Sequence, residues 1–126
     1  MKKIIYALIA MASLLFAYDF GDVPEKRLDT IPTGSPTMVM VGKTHCIWCE
    51  SMAPQIKEVK EEYPKSVIYY VNVDKDPLGA INHNIAELPV QLFLDSNGKE
   101  IGRHVGYLNK EEILSYLREY GILPKP

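Results

Sequence analysis

Seven residues in a row, Val67-Ile68-Tyr69-Tyr70-Val71-Asn72-Val73, constrain this chain's fold more than any other feature. Six of the seven are β-branched or aromatic, the residue types that fit a pleated strand. Both faces are largely apolar, so the strand needs cover on two sides, as in the middle of a layered α/β sheet. Thr37-Met38-Val39-Met40-Val41, bounded by Pro36 and Gly42, reads as a second buried strand. Between the two runs, Met52, Ile56, Val59 and Tyr63 recur at helical spacing, with charged residues largely off that stripe. Pro54 lies inside the pattern and predicts a lost hydrogen bond and a kink; Pro64 ends it. A strand–helix–strand order calls for a parallel pair with the helix crossing one face.

The second half continues the alternation. Asp76-Pro77 is a helix start, cap followed by first-turn proline, and predicts a short helix to about Ala86. Val90 to Leu94 is a strand, Asp95-Ser96-Asn97-Gly98 a hairpin turn whose Asn-Gly accepts positive φ, and Glu100 to Val105 its partner. Asn109 and Glu112 have capping-box spacing. Ile113, Leu114, Leu117 and Tyr120 form the buried stripe of a last helix, which Gly121 stops. The order β-α-β-α-β-β-α predicts a three-layer α/β domain: a central mixed sheet of about four strands, helices on both faces. Residues 18–36 carry three prolines and two glycines and read as an irregular extension, with room for one helical turn at Val23 to Leu28.

The first residues read as separate from this fold. Met1-Lys2-Lys3 is positive, and Ile4 to Phe16 is an almost unbroken apolar run of about 13 residues, the length of a signal-peptide core. A membrane span needs about 20. Residues 1–17 are therefore expected to be a cleaved signal peptide ending at Ala17, and the domain an exported, periplasmic one. The alternative is an uncleaved anchor or a core helix. The whole chain of 126 residues has a formal charge of −2; losing Lys2 and Lys3 makes the remainder −4. No basic excess exists to neutralise phosphates, which argues against a nucleic-acid partner.

Only two cysteines are present, Cys46 and Cys49. That excludes a disulfide-stapled miniprotein, and a zinc finger would need two further regularly spaced ligands. Cys46-Ile47-Trp48-Cys49 falls where a strand hands over to a helix. One helical turn between the sulfurs lets them close and reopen a small disulfide ring. The helix N-terminus offers unpaired amides and partial positive charge, which favour a thiolate. Cys46 is expected to be the exposed nucleophile and Cys49 the shielded resolving thiol. A permanent structural disulfide is the plainer alternative, although so short a ring restrains little of the unfolded chain. Half of a metal site is another, yet His45, His83 and His104 have no regular spacing to the pair. No metal and no bound cofactor is expected.

With these residues in place the chain resembles an exported, bacterial-type thioredoxin-fold protein over roughly residues 37–120. The resemblance rests on the strand before Cys46-Ile47-Trp48-Cys49, Pro54 after it, Leu88-Pro89-Val90 opening a strand, the Asn97-Gly98 hairpin and Gly106 before the last helix. It implies a domain over 37–126 and a thiol:disulfide oxidoreductase. It also implies that Pro89 is cis beside the disulfide, turning the Leu88 backbone toward the sulfurs to pair with an extended client chain. A trans proline at a strand start remains the alternative. Ile47, Trp48, Leu88 and Pro89 are the expected substrate-binding residues; Trp48 is otherwise cover for the helix start. His45 either tunes the Cys46 thiolate or is a solvated loop residue. The family carries a buried acid where this chain has Met40, and an aromatic where it has His45. These departures point away from a general cytoplasmic reductase and toward a dedicated exported one. Implied partners are protein thiols and disulfides, a membrane electron donor, and apocytochrome c among the clients, met by a monomer. A disulfide-donating oxidant and a non-catalytic binding module are the competing functions.

Overall fold

The structure, a computed structural model, describes residues 19–126. The expected signal segment, residues 1–17, lies outside them. Four strands form one mixed sheet: β1 (Thr37–Gly42), β2 (Ile68–Asn72), β3 (Val90–Leu94) and β4 (Glu100–Val105). Their spatial order is β2-β1-β3-β4. β1 runs parallel to β2, with Met38 opposite Ile68 and Val41 opposite Val71. β3 is antiparallel to both β1 and β4. Three helices complete the expected order: α1 (Ile47–Glu62), α2 (Pro77–Asn82) and α3 (Lys110–Glu119).

The period-two alternation of β1 sorts the core into two layers. Met38 and Met40 face one side, where Met52, Ile56 and Val59 of α1 meet Ile113, Leu114 and Leu117 of α3. Val39 and Val41 face the other, with Val71, Leu92 and Leu28. All four β1 side chains named are inaccessible to solvent, which makes this strand the centre of the fold. Burying each such side chain is worth roughly 1.5–3 kcal/mol before entropy is counted. α1 runs through Pro54 as one helix, with Tyr63 as its C-cap just before Pro64. α3 has the expected capping box: Asn109 Oδ1 accepts from Glu112 N–H at 2.9 Å, and Glu112 Oε1 accepts from Asn109 N–H at 3.1 Å.

Three local expectations are corrected. α2 stops at Asn82, four residues before Ala86. Asn84 is left-handed (φ 55°), which breaks the helix and turns Ile85 back onto the core. Arg103 then receives the freed carbonyls, donating to His83 O at 2.9 Å and Asn84 O at 3.3 Å. In the hairpin only Gly98 has positive φ, at 83°. Asp95 Oδ1 accepts from both Asn97 N–H and Lys99 N–H, so the turn is a three-residue loop closed by a glycine. The pairing shifts just beyond it, where Phe93 faces Gly102 and Leu94 faces Glu100, leaving Ile101 as a bulge. Finally, Val23 to Leu28 does not form a helical turn. The turn is a 3-10 segment at Leu28–Thr30. Before it, Glu25 bridges Tyr70 in parallel, with Tyr70 N–H donating to Pro24 O and Lys26 N–H to Tyr70 O. Pro24 cannot donate, but only one edge of this segment is paired, so its missing N–H is not needed.

The segment before β1 has little regular structure, yet Phe20, Val23 and Leu28 are buried in the two cores. Asp76 locks it down. This buried carboxylate caps α2 through Gly79 N–H and also accepts from Leu28 N–H at 2.8 Å.

Candidate active site

The site is built at the C-terminal end of β1, where the chain crosses into α1. Cys46 is the N-cap of α1, with extended backbone (φ −114°, ψ 107°). Its Sγ accepts from Cys49 N–H at 3.2 Å, taking the place a serine or aspartate oxygen takes in an ordinary cap. Cys46 and Cys49 form a disulfide across Cα atoms 5.2 Å apart. The structure is thus the oxidised state. Cys46 retains 8% exposure and Cys49 none. The expected exposure of Cys46 is corrected: in this oxidised state it is buried in the same core as Cys49, and only the sliver of surface it keeps distinguishes an outer sulfur from an inner one.

Gly42, the last residue of β1, makes room for the inner sulfur. A β-carbon there would lie 3.0 Å from Cys49 Sγ and 3.3 Å from the Tyr70 ring. The Tyr70 ring is in turn stacked on Phe20 at 4.4 Å. Between Gly42 and Cys46 the loop is tied to the end of β2. Val73 N–H donates to Gly42 O at 2.9 Å, Thr44 N–H to Asp74 Oδ2 at 3.1 Å, and Asn72 Nδ2 to Thr44 Oγ1 at 3.2 Å. His45 follows in left-handed backbone (φ 57°), exposed, next to the first sulfur's residue. That conformation costs a non-glycine residue about 1–2 kcal/mol, so the tethers on either side hold it.

The expected docking residues surround this point. Ile47 and Trp48, in the first turn of α1, are 74% and 60% exposed. An apolar pair so open to water at a helix start does nothing for the core. The Leu88–Pro89 peptide is cis. Pro89 is buried, and Leu88 is half-buried against both core layers. Tyr107 was not singled out from sequence: its ring packs on Trp48 at 5.9 Å and extends the apolar rim. Its signal was its place directly after Gly106, in the loop that faces Pro89. Gly106 (φ 110°) needs its glycine, and its N–H donates to Pro89 O at 2.8 Å. Gly42 and Gln91 were also missed. Among the described residues no cluster of three or more His, Cys, Asp and Glu is placed to hold a metal ion. In the same residues no helix is long and apolar enough to cross a membrane.

Strand, redox-closed cysteine pair at a helix start and a cis-proline just before β3 together define a domain of the thiol–disulfide oxidoreductase class. A family model described as a thioredoxin-like domain matches residues 24–121, and the chain belongs to that family. It is 32% identical over 76 residues to a thioredoxin of Buchnera aphidicola subsp. Baizongia pistaciae, covering 60% of this chain and 69% of that one. It is 33% identical over 125 positions to the chloroplastic thioredoxin-like protein HCF164 of Oryza sativa subsp. japonica, covering 84% of this chain but 48% of the rice protein. This chain thus spans about half of that relative. An uncharacterized thioredoxin-like protein from Clostridium perfringens shares the fold, with a TM-score of 0.68 at 24% identity over 79% of this chain and 81% of that one.

Proposed function

We propose that this domain is an exported reductase of client-protein disulfides, acting through Cys46 and Cys49. The observation that carries the reading is the Cys49 N–H aimed at Cys46 Sγ at 3.2 Å, with the second sulfur fully buried behind it. When the disulfide opens, that amide and the helix N-terminus favour the Cys46 thiolate over the thiol. The thiolate attacks one sulfur of a client disulfide, the other client sulfur leaves as a thiolate, and a mixed disulfide forms. Cys49 then attacks Cys46 Sγ and releases the second client thiol. Two electrons pass to the client, and the protein returns to the oxidised form described above. A dithiol donor must reduce it again. The Leu88 backbone and the apolar rim of Ile47, Trp48 and Tyr107 receive the client as an extended strand, a sequence-tolerant mode.

Export rests on the sequence of residues 1–17, a short positive start followed by about 13 apolar residues. Membership in the family supports protein thiols and disulfides as the substrate class. A membrane-bound dithiol donor and apocytochrome c as client belong to the same proposal.

Insulin reduction by dithiothreitol tests the activity. The wild-type protein should accelerate precipitation, and Cys46→Ser should not. Equal rates would leave a binding module. Trp48 is the only tryptophan and adjoins Cys49, so its fluorescence should follow a glutathione redox titration. A potential near that of disulfide donors would overturn the reductase direction, since about 30 mV corresponds to a free-energy difference of only about 1.4 kcal/mol.

A further inference from the structure

We infer that Gln91 is a positioning residue that clips the client-docking loop to the catalytic helix. The inference rests on the proposed docking of clients at Leu88. Gln91 lies in β3, two residues past Pro89, opposite Met40 of β1 and His104 of β4. It is completely buried, in a layer otherwise made of methionines, aliphatic residues and aromatics. A primary amide in such a place is retained only when its donors and acceptor are met.

They are met by groups from three elements. Gln91 Nε2 donates to Gly106 O at 3.1 Å. Its second hydrogen faces the thioethers: Met52 Sδ at 3.3 Å and Met40 Sδ at 3.8 Å. Oε1 meets His104 Nδ1 at 2.8 Å. Carbonyl and thioether are acceptors only, so the amide nitrogen must face them and the amide oxygen must face the imidazole. His104 Nδ1 therefore carries the hydrogen. Its ring is held by Tyr116 at 5.4 Å, which itself stacks on Phe93 at 5.3 Å.

Two of the partners belong to different parts of the site. Met52 is one turn beyond Cys49 on α1. Gly106 donates its own N–H to Pro89 O, so its peptide is held from both sides, and Tyr107 on the rim follows it. One side chain thus ties the helix that carries the sulfurs to the loop after β4 that presents Tyr107, and through the Gly106–Pro89 bond to the separate loop before β3 that presents Leu88. A leucine of similar size would fill the space without making any of these bonds. The consequence falls on docking of an extended peptide, which uses both halves, more than on a small disulfide that needs only the sulfur.

Pre-reduced protein is oxidised in single-turnover mixing, followed by Trp48 fluorescence, with two substrates. One is a synthetic peptide with an intramolecular disulfide and the other is 5,5′-dithiobis(2-nitrobenzoate). For Gln91→Leu the half-saturating peptide concentration should rise about tenfold, the worth of one or two hydrogen bonds, at a limiting rate within twofold of wild type. The ratio of peptide to small-disulfide efficiency should fall by the same factor. His104→Ala, on the half-buried edge strand, should reproduce part of the loss; His104→Asn, whose amide can donate to Gln91 Oε1, should restore it. A parallel fall with both substrates, or no change with either, would overturn the inference. Wild-type protein that reacts with the small disulfide but not the peptide would instead overturn the docking reading.

Discussion

Gly42 and Cys49 occupy complementary space: the hydrogen on the last β1 residue leaves just enough room for the inner sulfur, and a β-carbon would sit 3.0 Å from it. The neighbours cannot yield easily. Cys49 is bonded to Cys46, and Tyr70, on the other side, is stacked on Phe20. Gly42→Ala should therefore destabilise the oxidised protein by about 1–3 kcal/mol, the usual cost of overpacking, as read by urea unfolding. Its φ lies outside the left-handed region, so the penalty is steric alone. A variant as stable as wild type would show that the sulfur has freedom the structure does not display.

His45 should behave in the opposite sense. Its left-handed backbone favours glycine. His45→Gly is expected to gain up to about 1 kcal/mol, the relief of strain less the extra entropy of glycine in the unfolded chain. His45→Val should lose more than that. Thermal unfolding of the three proteins in one buffer decides it. The same pair tests any tuning of the nucleophile: alkylation of reduced Cys46 against pH should shift upward in His45→Gly if the imidazole supports the thiolate, and should be unchanged if it is solvated.

Asp76 joins the segment before β1 to the second half of the chain. Asp76→Ala would leave Leu28 N–H and Gly79 N–H without their acceptor in a buried place. A loss of about 2–4 kcal/mol is expected in urea, two orphaned donors' worth. Asp76→Asn, which keeps one acceptor oxygen, should lose less. Gly79 is the matching constraint, because a β-carbon there would collide with the Asp76 carboxylate.

Glu62 and Lys110 tie α1 to α3 across 2.6 Å. The hydrogen bond from Lys110 holds the Glu62 carboxyl below its ordinary value of 4.5, and the same bond raises Lys110 above 10.5. A lowered acid stabilises above its unfolded value and loses that contribution as pH falls through the folded one. A raised base stabilises below its unfolded value and loses it as pH rises through the folded one. Lys110→Met should thus be slightly less stable than wild type from about pH 5 to 10 and converge with it as the pH falls through the lowered folded value of Glu62. Both groups are solvent-accessible, so the gap should be small and shrink in salt. A gap that does not narrow as the pH falls below 4.5 would assign it to packing instead.

The sequence carried the layers because strands β1 to β3 are marked by short apolar and β-branched runs between turn residues, β4 by the hairpin turn before it, and helices α1 and α3 by helical spacing, all of which are local. It also carried the cysteine pair, since a helix start is marked by the switch from strand to helical spacing. What it could not carry were relations between distant positions. Gly42 reads as a loop glycine until Cys49 and Tyr70 are seen against it. Gln91 reads as one polar residue in a strand until Met52, Gly106 and His104 converge on it. The early end of α2 was hidden for a related reason: Asn84 adopts left-handed backbone while Arg103, from β4, collects the carbonyls. Pro24 and its neighbours lack any strand pattern, because their pairing consists of a single bridge to Tyr70.

The central claim is that Cys46 attacks and Cys49 resolves. Trapping tests it most directly. Reduced Cys49→Ser, mixed with an oxidised peptide disulfide, should accumulate a mixed disulfide through Cys46, visible as a mass adduct that dithiothreitol removes. Cys46→Ser should give little adduct, because Cys49 is fully buried. Equal adducts on both variants, or an adduct on Cys49 alone, would contradict the account.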